Sequence, residues 1–520
     1  MAKQKILSGL YDYQLEAVKA TDKNKKGIVC MPTGTGKTFV QASVIAKQIQ
    51  KTKGKFAIYV INAPRIMLSY QLLKEVYTFL VGSGLDARYM SVHSGGQTDM
   101  NDLEAIRVDA NYNEGTNIQF AQIESTTSPT VINQFVESAK SQDLPVIIFS
   151  TYNSAERIND GIPTEKISIV MNDEAQYLVQ EQFHDIIHIL NFERCYFFTA
   201  TTIDTPSEKG RGMNNVESYG PIIYLMTPRE AIDRGKMVRP RMHFVIPSGK
   251  ETYTKDDFQN SIGKIISEAF KQHKYALDEK SRAKMLVSVK GIGDIQKFFT
   301  SKEYESFLRN GTMIYAVASN EIIGNNINGE KVSRREFLNR LKEDGKNPHK
   351  EIIILHYDIL AEGIDVPGIT GILPMRTLGK AKFLQTFGRA ARLDITDRER
   401  ISKGEIKPSD LADMIKPYAW VIVPTIIHED ADDKEHIGNL ITELRSYGFK
   451  PSEDVITTDV SRGIGTIEAP EALNNIQKKS PNIGKYIEKV EADYEAEYLS
   501  SLSEEEKIAY KLTKYSGVNL

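Results

Sequence analysis

The sequence is poor in cysteine, because its 520 residues include only Cys30 and Cys195. Each lies in or beside a segment predicted to be a core strand, so buried reduced thiols are a better interpretation than a disulfide or a metal site. The sequence also lacks the roughly 20-residue apolar run that a membrane-spanning helix needs. Its first five residues lead into a polar helix, so we expect no signal peptide. These absences favour a reducing intracellular compartment and no membrane partner.

Neither sign of charge dominates, since 66 Lys and Arg face 69 Asp and Glu. This balance is an average: from residue 429 onward acids exceed bases by about eight, which leaves the remainder mildly basic. A near-neutral total does not exclude nucleic acid as a partner. A protein that contacts phosphates in a cleft needs a local basic stripe rather than a high overall pI.

A glycine-rich segment, Met-Pro-Thr-Gly-Thr-Gly-Lys-Thr at 31–38, follows an apolar run and precedes an amphipathic helix. In such a strand–turn–helix unit, backbone N–H groups and the helix N-terminus favour a polyphosphate. This is a Walker A loop, although Met31 stands where the general pattern has Gly. Lys37 is expected on the β- and γ-phosphates and the Thr38 hydroxyl on Mg²⁺. The predicted ATP-binding residues of the loop are Thr33, Gly34, Thr35, Gly36, Lys37 and Thr38.

Two adjacent carboxylates, Asp173 and Glu174, follow the apolar strand predicted at 167–171. This is the Walker B arrangement, in which Asp173 can hold Mg²⁺ through water and Glu174 can orient and deprotonate the attacking water. A surface acidic pair at the start of a helix is the alternative. The Walker A loop upstream favours the Walker B interpretation.

Short β-rich runs alternate with helical segments along most of the chain, which predicts an α/β fold with two parallel-sheet domains in tandem. The predicted domains are 1–238, with both Walker motifs, and 239–428, after the Arg239-Pro240-Arg241 break. From 429 to 520 the pattern becomes charged and predicts a helical C-terminal extension. The predicted strands are 27–31, 56–62, 87–92, 146–150, 167–171 and 194–199, then 242–246, 285–289, 312–316, 351–355, 370–373 and 419–423.

Seven short elements, taken together, resemble the motifs of superfamily 2 helicases. Each is weak alone, but they occur in the family's order and with sensible spacing, and the chain is identified as a member on that basis. They are Asp12-Tyr13-Gln14 (the Q element), Ala63–Gln71 (motif Ia), Phe149–Ser154 (a backbone-gripping segment), Asp173-Glu174-Ala175-Gln176 (the DEAD/DEAH box), Thr199-Ala200-Thr201 (motif III), Leu360–Pro367 (motif V) and Gln385–Arg392 (motif VI).

The resemblance implies two RecA-like domains that close on ATP and Mg²⁺. Gln14 would read the adenine edge, and Gly363 and Asp365 would approach the nucleotide from the second domain. Gln385 would lie near the γ-phosphate, with Arg389 and Arg392 stabilising its charge during transfer. Motif III, Thr199, Ala200 and Thr201, would couple the ATP state to domain movement.

Nucleic acid is expected across both domains on the opposite edge. The expected contacts are Arg65, Thr151, Tyr152 and Lys290. Tyr70 and Tyr152 could stack on bases, although packing against the sheet edge is the commoner role for such rings. Backbone contacts give affinity without sequence readout, which suits a motor that passes over any sequence.

The leading interpretation is an ATP-dependent DNA helicase or translocase of replication, recombination or repair, in the cytoplasm of a bacterial or phage-infected cell. Segments 123–127 and 220–235 also resemble the motor subunits of type I and type III restriction systems. In that alternative the nuclease is a separate chain, since we expect no room for one before Gln14, and the acidic tail docks a protein partner. An RNA helicase is a third interpretation. A degenerate scaffold is disfavoured, because Lys37, Asp173, Glu174 and both arginines of motif VI are present.

Overall fold

The computed structural model describes most of the chain. The described residues are 9–94, 125–206, 210–245, 261–277, 280–318, 322–357, 366–425, 431–459, 465–479 and 481–501, with Ser503 and Lys507. Gly363 and Asp365, expected at the nucleotide, lie outside them. Every helix in the described residues is too short or too polar to cross a membrane.

The first half is an eight-stranded, wholly parallel sheet in the order β4-β3-β5-β2-β6-β7-β1-β8. Its central strands are rich in Val and Ile and are buried on both faces, as parallel strands covered by helices are. The strands are β1 Lys26–Cys30, β2 Ile58–Ala63, β3 Arg88–Val92, β4 Ser125–Thr126, β5 Val146–Thr151, β6 Ile167–Asn172, β7 Phe192–Thr199 and β8 Ile222–Leu225.

Helices cover this sheet and connect its strands. They are α1 Asp12–Lys23, α2 Lys37–Lys51, α3 Ile66–Gly82, α4 Pro129–Ser141, α5 Ala155–Gly161, α6 Glu181–His184, α7 Ile186–Ile189, α8 Val216–Tyr219 and α9 Pro228–Asp233, with 3₁₀ turns at Tyr152–Ser154 and Ala175–Val179. Because the strands are parallel, the Walker A loop, the Asp173-Glu174 pair and the Thr199 segment all emerge at the same edge, at the ends of β1, β6 and β7.

The second half is a ten-stranded sheet in the order β13-β12-β11-β14-β10-β15-β16-β9-β17-β18, parallel except in its outer hairpins. The strands are β9 Arg239–Val245, β10 Lys284–Ser288, β11 Met313–Val317, β12 Asn325–Ile327, β13 Glu330–Lys331, β14 Ile352–His356, β15 Gly371–Pro374, β16 Tyr418–Pro424, β17 Val455–Asp459 and β18 Gly465–Glu468. The helices are α10 Ile262–Ala276, α11 Ile292–Phe299, α12 Lys302–Arg309, α13 Arg334–Lys346, α14 Lys380–Ala390, α15 Ile395–Ser402, α16 Ala431–Arg445, α17 Pro451–Asp454, α18 Glu471–Lys479 and α19 Pro481–Ser501, with a 3₁₀ turn at Leu411–Asp413.

All twelve strands expected from the sequence are present, within three residues at each end. The C-terminal extension differs from the expectation, since it is not helical throughout. Strand β17 pairs in parallel with β9 and β18 closes a hairpin on it, so the second sheet continues into the extension. The extension packs on the second half: the ring of Tyr447 stands edge-on to Phe387 at 5.0 Å, and Lys380 pairs with Glu443 at 3.6 Å.

The two halves share an apolar interface. One buried cluster runs continuously through both of them and includes Met237, Phe387 and Ala391. Separate clusters fill the far face of the first sheet and of the second. The chain crosses from one half to the other beside motif VI, where the Val238 N–H donates to the Ala391 carbonyl at 2.8 Å.

Candidate nucleotide site between the two halves

The Walker A loop has the backbone geometry that its glycines allow. Gly34 and Gly36 both have positive φ, at 86° and 85°, a region that side chains with a Cβ rarely adopt. Helix α2 begins at Lys37, within the motif, so its N-terminal amides point into the turn. Lys37 is buried, and its ammonium donates to the Met31 carbonyl at 3.3 Å. The loop is therefore held in a compact cradle suited to phosphate.

Two residues of the Q element form hydrogen bonds to the Walker A loop. The Tyr13 hydroxyl and the Gln14 amide both donate to the Thr35 carbonyl, at 2.9 Å and 3.1 Å. The Gln14 carbonyl oxygen accepts from the Tyr11 N–H at 3.0 Å. Gln14 thus connects the start of α1 to the phosphate loop. That it also reads the adenine edge stays a prediction.

The two carboxylates lie directly across from the loop. Asp173 is 4% exposed and accepts a hydrogen bond from Gln41 of helix α2 at 2.7 Å. Burial, followed by the neighbouring charge of Glu174, raises the pKa of Asp173 to about 7, while Lys37 and the Gln41 hydrogen bond oppose that rise. A carboxylate in such surroundings is stabilised in its charged form by a nearby cation.

The site offers oxygen donors that could hold Mg²⁺ together with ATP. The Thr38 hydroxyl and the Asp173 carboxylate are the oxygen donors that Mg²⁺ prefers. Over the described ranges there is no group of three His, Cys, Asp or Glu side chains able to hold a metal. Mg²⁺ sites of this type are completed by phosphate and water.

Glu174 connects the carboxylate pair to motif III. Its backbone is left-handed, with φ 50° and ψ 48°, an uncommon conformation for a residue with a Cβ that is often found at functional sites. Its carboxylate accepts from the Gln176 amide at 2.7 Å, and the Gln176 carbonyl oxygen lies 2.7 Å from the Thr199 hydroxyl. Thr199 also accepts from the Thr201 N–H at 3.1 Å. A continuous hydrogen-bonded path therefore joins the expected base to motif III.

Motif VI of the second half lies against the Walker A loop. A methyl group built on Gly388 of helix α14 would lie 3.1 Å from the Thr33 side chain, so the helix and the phosphate loop are in close contact. The Arg392 side chain lies over Gly34, with its Cγ 3.5 Å from where a Cβ would be. Arg389 and Gln385 are buried at 7% and 9% exposure. The structure thus brings motif VI against the Walker A loop.

The end of the motif VI helix is anchored by a buried lysine. The Lys416 ammonium donates to the Arg392 carbonyl at 2.6 Å, and burial lowers the pKa of Lys416 to about 7. Asp397, fully buried, accepts from the backbone N–H groups of Ile415 and Lys416 at 2.9 Å each. These contacts fix the backbone position from which Arg392 reaches the loop.

Comparison with known proteins supports a helicase core. Residues 11–208 match the family model described as DEAD/DEAH box helicase. Over 414 residues the chain is 23% identical to the DNA 3'-5' translocase XPB2 of Sulfurisphaera tokodaii, covering 74% of this chain and 78% of that protein. This chain has a superfamily 2 helicase core. It is accordingly an ATP-hydrolysing enzyme of the helicase type.

Solved structures show the same fold. The helicase core resembles the ATP-dependent type ISP restriction-modification enzyme LlaBIII bound to DNA, with a TM-score of 0.63 and 17% identity over 92% of this chain. It also resembles a fragment of a putative HsdR subunit of a type I restriction enzyme from Vibrio vulnificus, with a TM-score of 0.51 and 14% identity over 89% of this chain and 72% of that one. The chain spans about a third of LlaBIII, 33% of its length.

The expected nucleic-acid contacts of the helicase core fall into two groups. Arg65, at the start of helix α3, and Lys290, after β10, are exposed. Thr151 and Tyr152 are buried: the Thr151 hydroxyl donates to Ser154 at 3.0 Å and the Tyr152 hydroxyl to the Asp173 carbonyl at 2.6 Å. Tyr70 is buried as well. Both tyrosines occupy the packing role rather than the base-stacking one, because neither ring presents a face to solvent.

Two residues at the nucleotide site were not anticipated from the sequence. Gln41 donates a hydrogen bond to Asp173, and Glu75 of helix α3 accepts one from Gln71. The sequence does mark Glu75 as unusual, because Glu75 and its neighbour Lys74 are the only charged residues of helix α3. Gln41 gave no such signal, because a glutamine on the first turns of a helix is unremarkable in sequence.

Proposed function

We propose that this helicase core is a motor that moves along DNA, with ATP and Mg²⁺ bound between its halves. The observation that carries the proposal is the contact of the motif VI helix with the Walker A loop, at Gly388 and Thr33. Neither half alone has both the phosphate cradle and the arginines. Hydrolysis therefore depends on how the halves sit together, and that dependence is what a motor needs to convert ATP turnover into movement.

The chemistry follows from the side chains at the strand ends. Lys37 and the loop amides would hold the phosphates, and Mg²⁺, held by Thr38 and Asp173, would neutralise charge on them. Glu174 would orient and deprotonate the water. Arg389 and Arg392 would stabilise the charge that spreads over the γ-phosphoryl oxygens. The hydrogen-bonded path from Glu174 through Gln176 to Thr199 would report hydrolysis to motif III.

DNA is the favoured track, which the similarity to a DNA translocase supports. The test is ATPase turnover measured in parallel with single-stranded DNA, duplex DNA, forked DNA and RNA, with Glu174→Gln as the inactive control. We expect stimulation by one or more DNA forms to exceed that by RNA. Equal or greater stimulation by RNA would favour the RNA helicase alternative, and no stimulation by any of them would refute the motor.

A second candidate is the motor subunit of a restriction system with its nuclease on another chain. The fold similarity to LlaBIII over 92% of this chain favours it. In that case the C-terminal extension, whose helix α19 exposes Tyr494 and Tyr498, would dock a protein partner. Stimulation by duplex DNA well above that by single strands would favour this candidate over an unwinding helicase.

A further inference from the structure

The turn that follows helix α16 directs one aromatic ring of the C-terminal extension inward. The helix ends at Arg445, and the N–H groups of Tyr447 and Gly448 donate to the carbonyls of Leu444 and Arg445 at 2.9 Å and 2.8 Å. Gly448 has φ 83°, so the chain turns there in a conformation that glycine adopts without strain. Tyr447 is left buried, in the apolar cluster that runs through both halves.

The extension contacts the motif VI helix, α14, near both of its ends. Glu443 pairs with Lys380, the first residue of α14, at 3.6 Å. Near the other end, the Tyr447 ring meets the Phe387 ring at 5.0 Å and 89°, the edge-to-face arrangement that aromatic pairs favour. Phe387 is fully buried and stacks on Phe383, one turn earlier. The extension therefore supports α14 along its length.

Helix α14 lies between the extension and the Walker A loop. Successive residues of an α-helix project about 100° apart, and here Phe387 faces the extension while Gly388 faces Thr33 of the loop. Gly388 has no side chain to interlock with the loop, so that contact limits how closely the helix approaches but does not hold it there. The packing of Phe387 against Tyr447 on the other side is what holds the helix, and with it Arg389, against the loop.

The same turn also touches the first half. The Arg229 side chain, on helix α9, lies over Gly448: a methyl group placed on Gly448 would be 3.4 Å from the Arg229 Cδ and 3.3 Å from its Nη1. Helix α9 lies just ahead of the point where the chain crosses between the halves at Val238. Two neighbouring residues of the extension, Tyr447 and Gly448, thus contact the second half and the first half respectively.

We infer that Tyr447 is a positioning residue for ATP hydrolysis, so that the C-terminal extension is part of the catalytic unit. Tyr447 acts on Arg389 through Phe387 and the backbone of α14, and it does not contact the reacting atoms. The inference rests on the proposed function, in which Arg389 stabilises charge on the γ-phosphoryl group. A displacement of about 1 Å at a catalytic group can cost about 10²-fold in rate, so loss of the ring can reduce turnover without unfolding the protein.

The test compares Tyr447→Leu with wild type by steady-state ATP hydrolysis and by ADP titration, on the full chain with Mg²⁺, in the presence and absence of DNA. We expect kcat to fall by about tenfold, because the helix that carries Arg389 loses its support. The affinity for ADP should change by less than about twofold, because the loop amides that bind its phosphates belong to the first half. Tyr447→Phe keeps the ring and should retain kcat within about twofold of wild type.

Phe270→Leu is the matched control. Phe270, on helix α10, is also buried and meets Phe307 edge-on at 5.5 Å, but it belongs to the separate cluster on the far face of the second sheet. Its replacement should lower the thermal stability about as much as Tyr447→Leu does and leave kcat unchanged. An equal fall of kcat in both variants would overturn the inference, because it would show general loosening of the second half.

Glu443→Gln weakens the contact at the other end of α14 without removing core packing, so it decides the question if Tyr447→Leu does not fold. It should lower kcat by about two- to fivefold, the effect of one partly exposed ion pair. In Arg389→Lys, adding Tyr447→Leu should cost less than about a further twofold, because the group through which Tyr447 acts is already impaired.

Wild-type kcat in both Glu443→Gln and Tyr447→Leu would overturn the inference. A further loss of about tenfold when Tyr447→Leu is added to Arg389→Lys would also overturn it, since independent effects add. Failure of the proposed function looks different. Normal kcat in Arg389→Lys alone would refute the arginine role and with it the route from Tyr447, whereas no stimulation by any nucleic acid would refute the motor and leave the comparison of unstimulated rates intact.

Discussion

The two halves of the molecule are similar parallel sheets with different chemistry. The first half has charged and polar residues at the ends of three adjacent strands, Lys37 after β1, Asp173 and Glu174 after β6, and Thr199 at the end of β7. Among its described residues, the share of the site that the second half contributes is helix α14, which carries Arg389, and Arg392 just beyond the end of that helix. The difference supports the proposed division of roles, in which the first half would bind the nucleotide and the second would decide when hydrolysis occurs.

The largest expected effect comes from the second half. Arg389→Lys should lower kcat by about 10³–10⁵, the range found for arginines that stabilise phosphoryl transfer, because lysine lacks the planar fork. The affinity for ATP should change far less. Steady-state ATPase assays at saturating nucleic acid measure both quantities. A variant with near-normal kcat would show that the second half contributes apolar surface only, and the proposed division of roles would be wrong.

Glu174→Gln tests the first half with the next largest effect. Removing the base should reduce turnover by about 10²–10⁴, while ATP binding, which depends on Lys37 and the loop amides, persists. Lys37→Ala should show the reverse pattern, with weakened nucleotide binding. Nucleotide titrations and single-turnover hydrolysis distinguish the two variants. ATPase activity of Glu174→Gln within a few-fold of wild type would contradict the Walker B assignment.

A smaller effect is expected where the halves communicate. Thr199→Val removes the hydroxyl that bonds to Gln176 and should lower stimulated ATPase by about two- to tenfold, as expected for one hydrogen bond. Movement along DNA should fall more than hydrolysis does, because the path to motif III is interrupted. Comparing translocation with ATP consumed measures this ratio. If both fell in proportion, Thr199 would have no coupling role.

The smallest expected effects are on DNA binding. Arg65→Ala and Lys290→Ala should each reduce the slope of log Kd against log salt by about one, since each removes one phosphate contact. Lys478→Ala and Lys485→Ala, exposed lysines of the acidic extension, should leave the slope unchanged. Titrations of DNA at several salt concentrations measure these slopes. A lower slope in the two extension variants would place that region on the track.

Most strands of the two sheets could be predicted from the sequence, whereas the contacts between distant segments could not. The Val- and Ile-rich strands were recognisable because they are buried on both faces. Strands β17 and β18 were not predicted. They are short and contain polar residues such as Thr457 and Thr458, and they form strands because β17 pairs with β9 and β18 pairs with β17. The burial of Tyr152 and the position of Glu75 likewise depend on tertiary neighbours that no local pattern encodes.

The contact between the motif VI helix and the Walker A loop is the central claim, and a disulfide tests it directly. The Cβ atoms of Thr33→Cys and Gly388→Cys would lie 3.1 Å apart, so a slight adjustment gives the separation of about 3.5–4.5 Å found in disulfides. The natural Cys30 and Cys195 are buried and should not interfere. The control pairs Thr33→Cys with Lys297→Cys, an exposed position on helix α11. We expect rapid oxidation of the 33–388 pair, seen as the loss of two free thiols by mass spectrometry. Cross-linking no faster than in the control would contradict a site shared between the two halves.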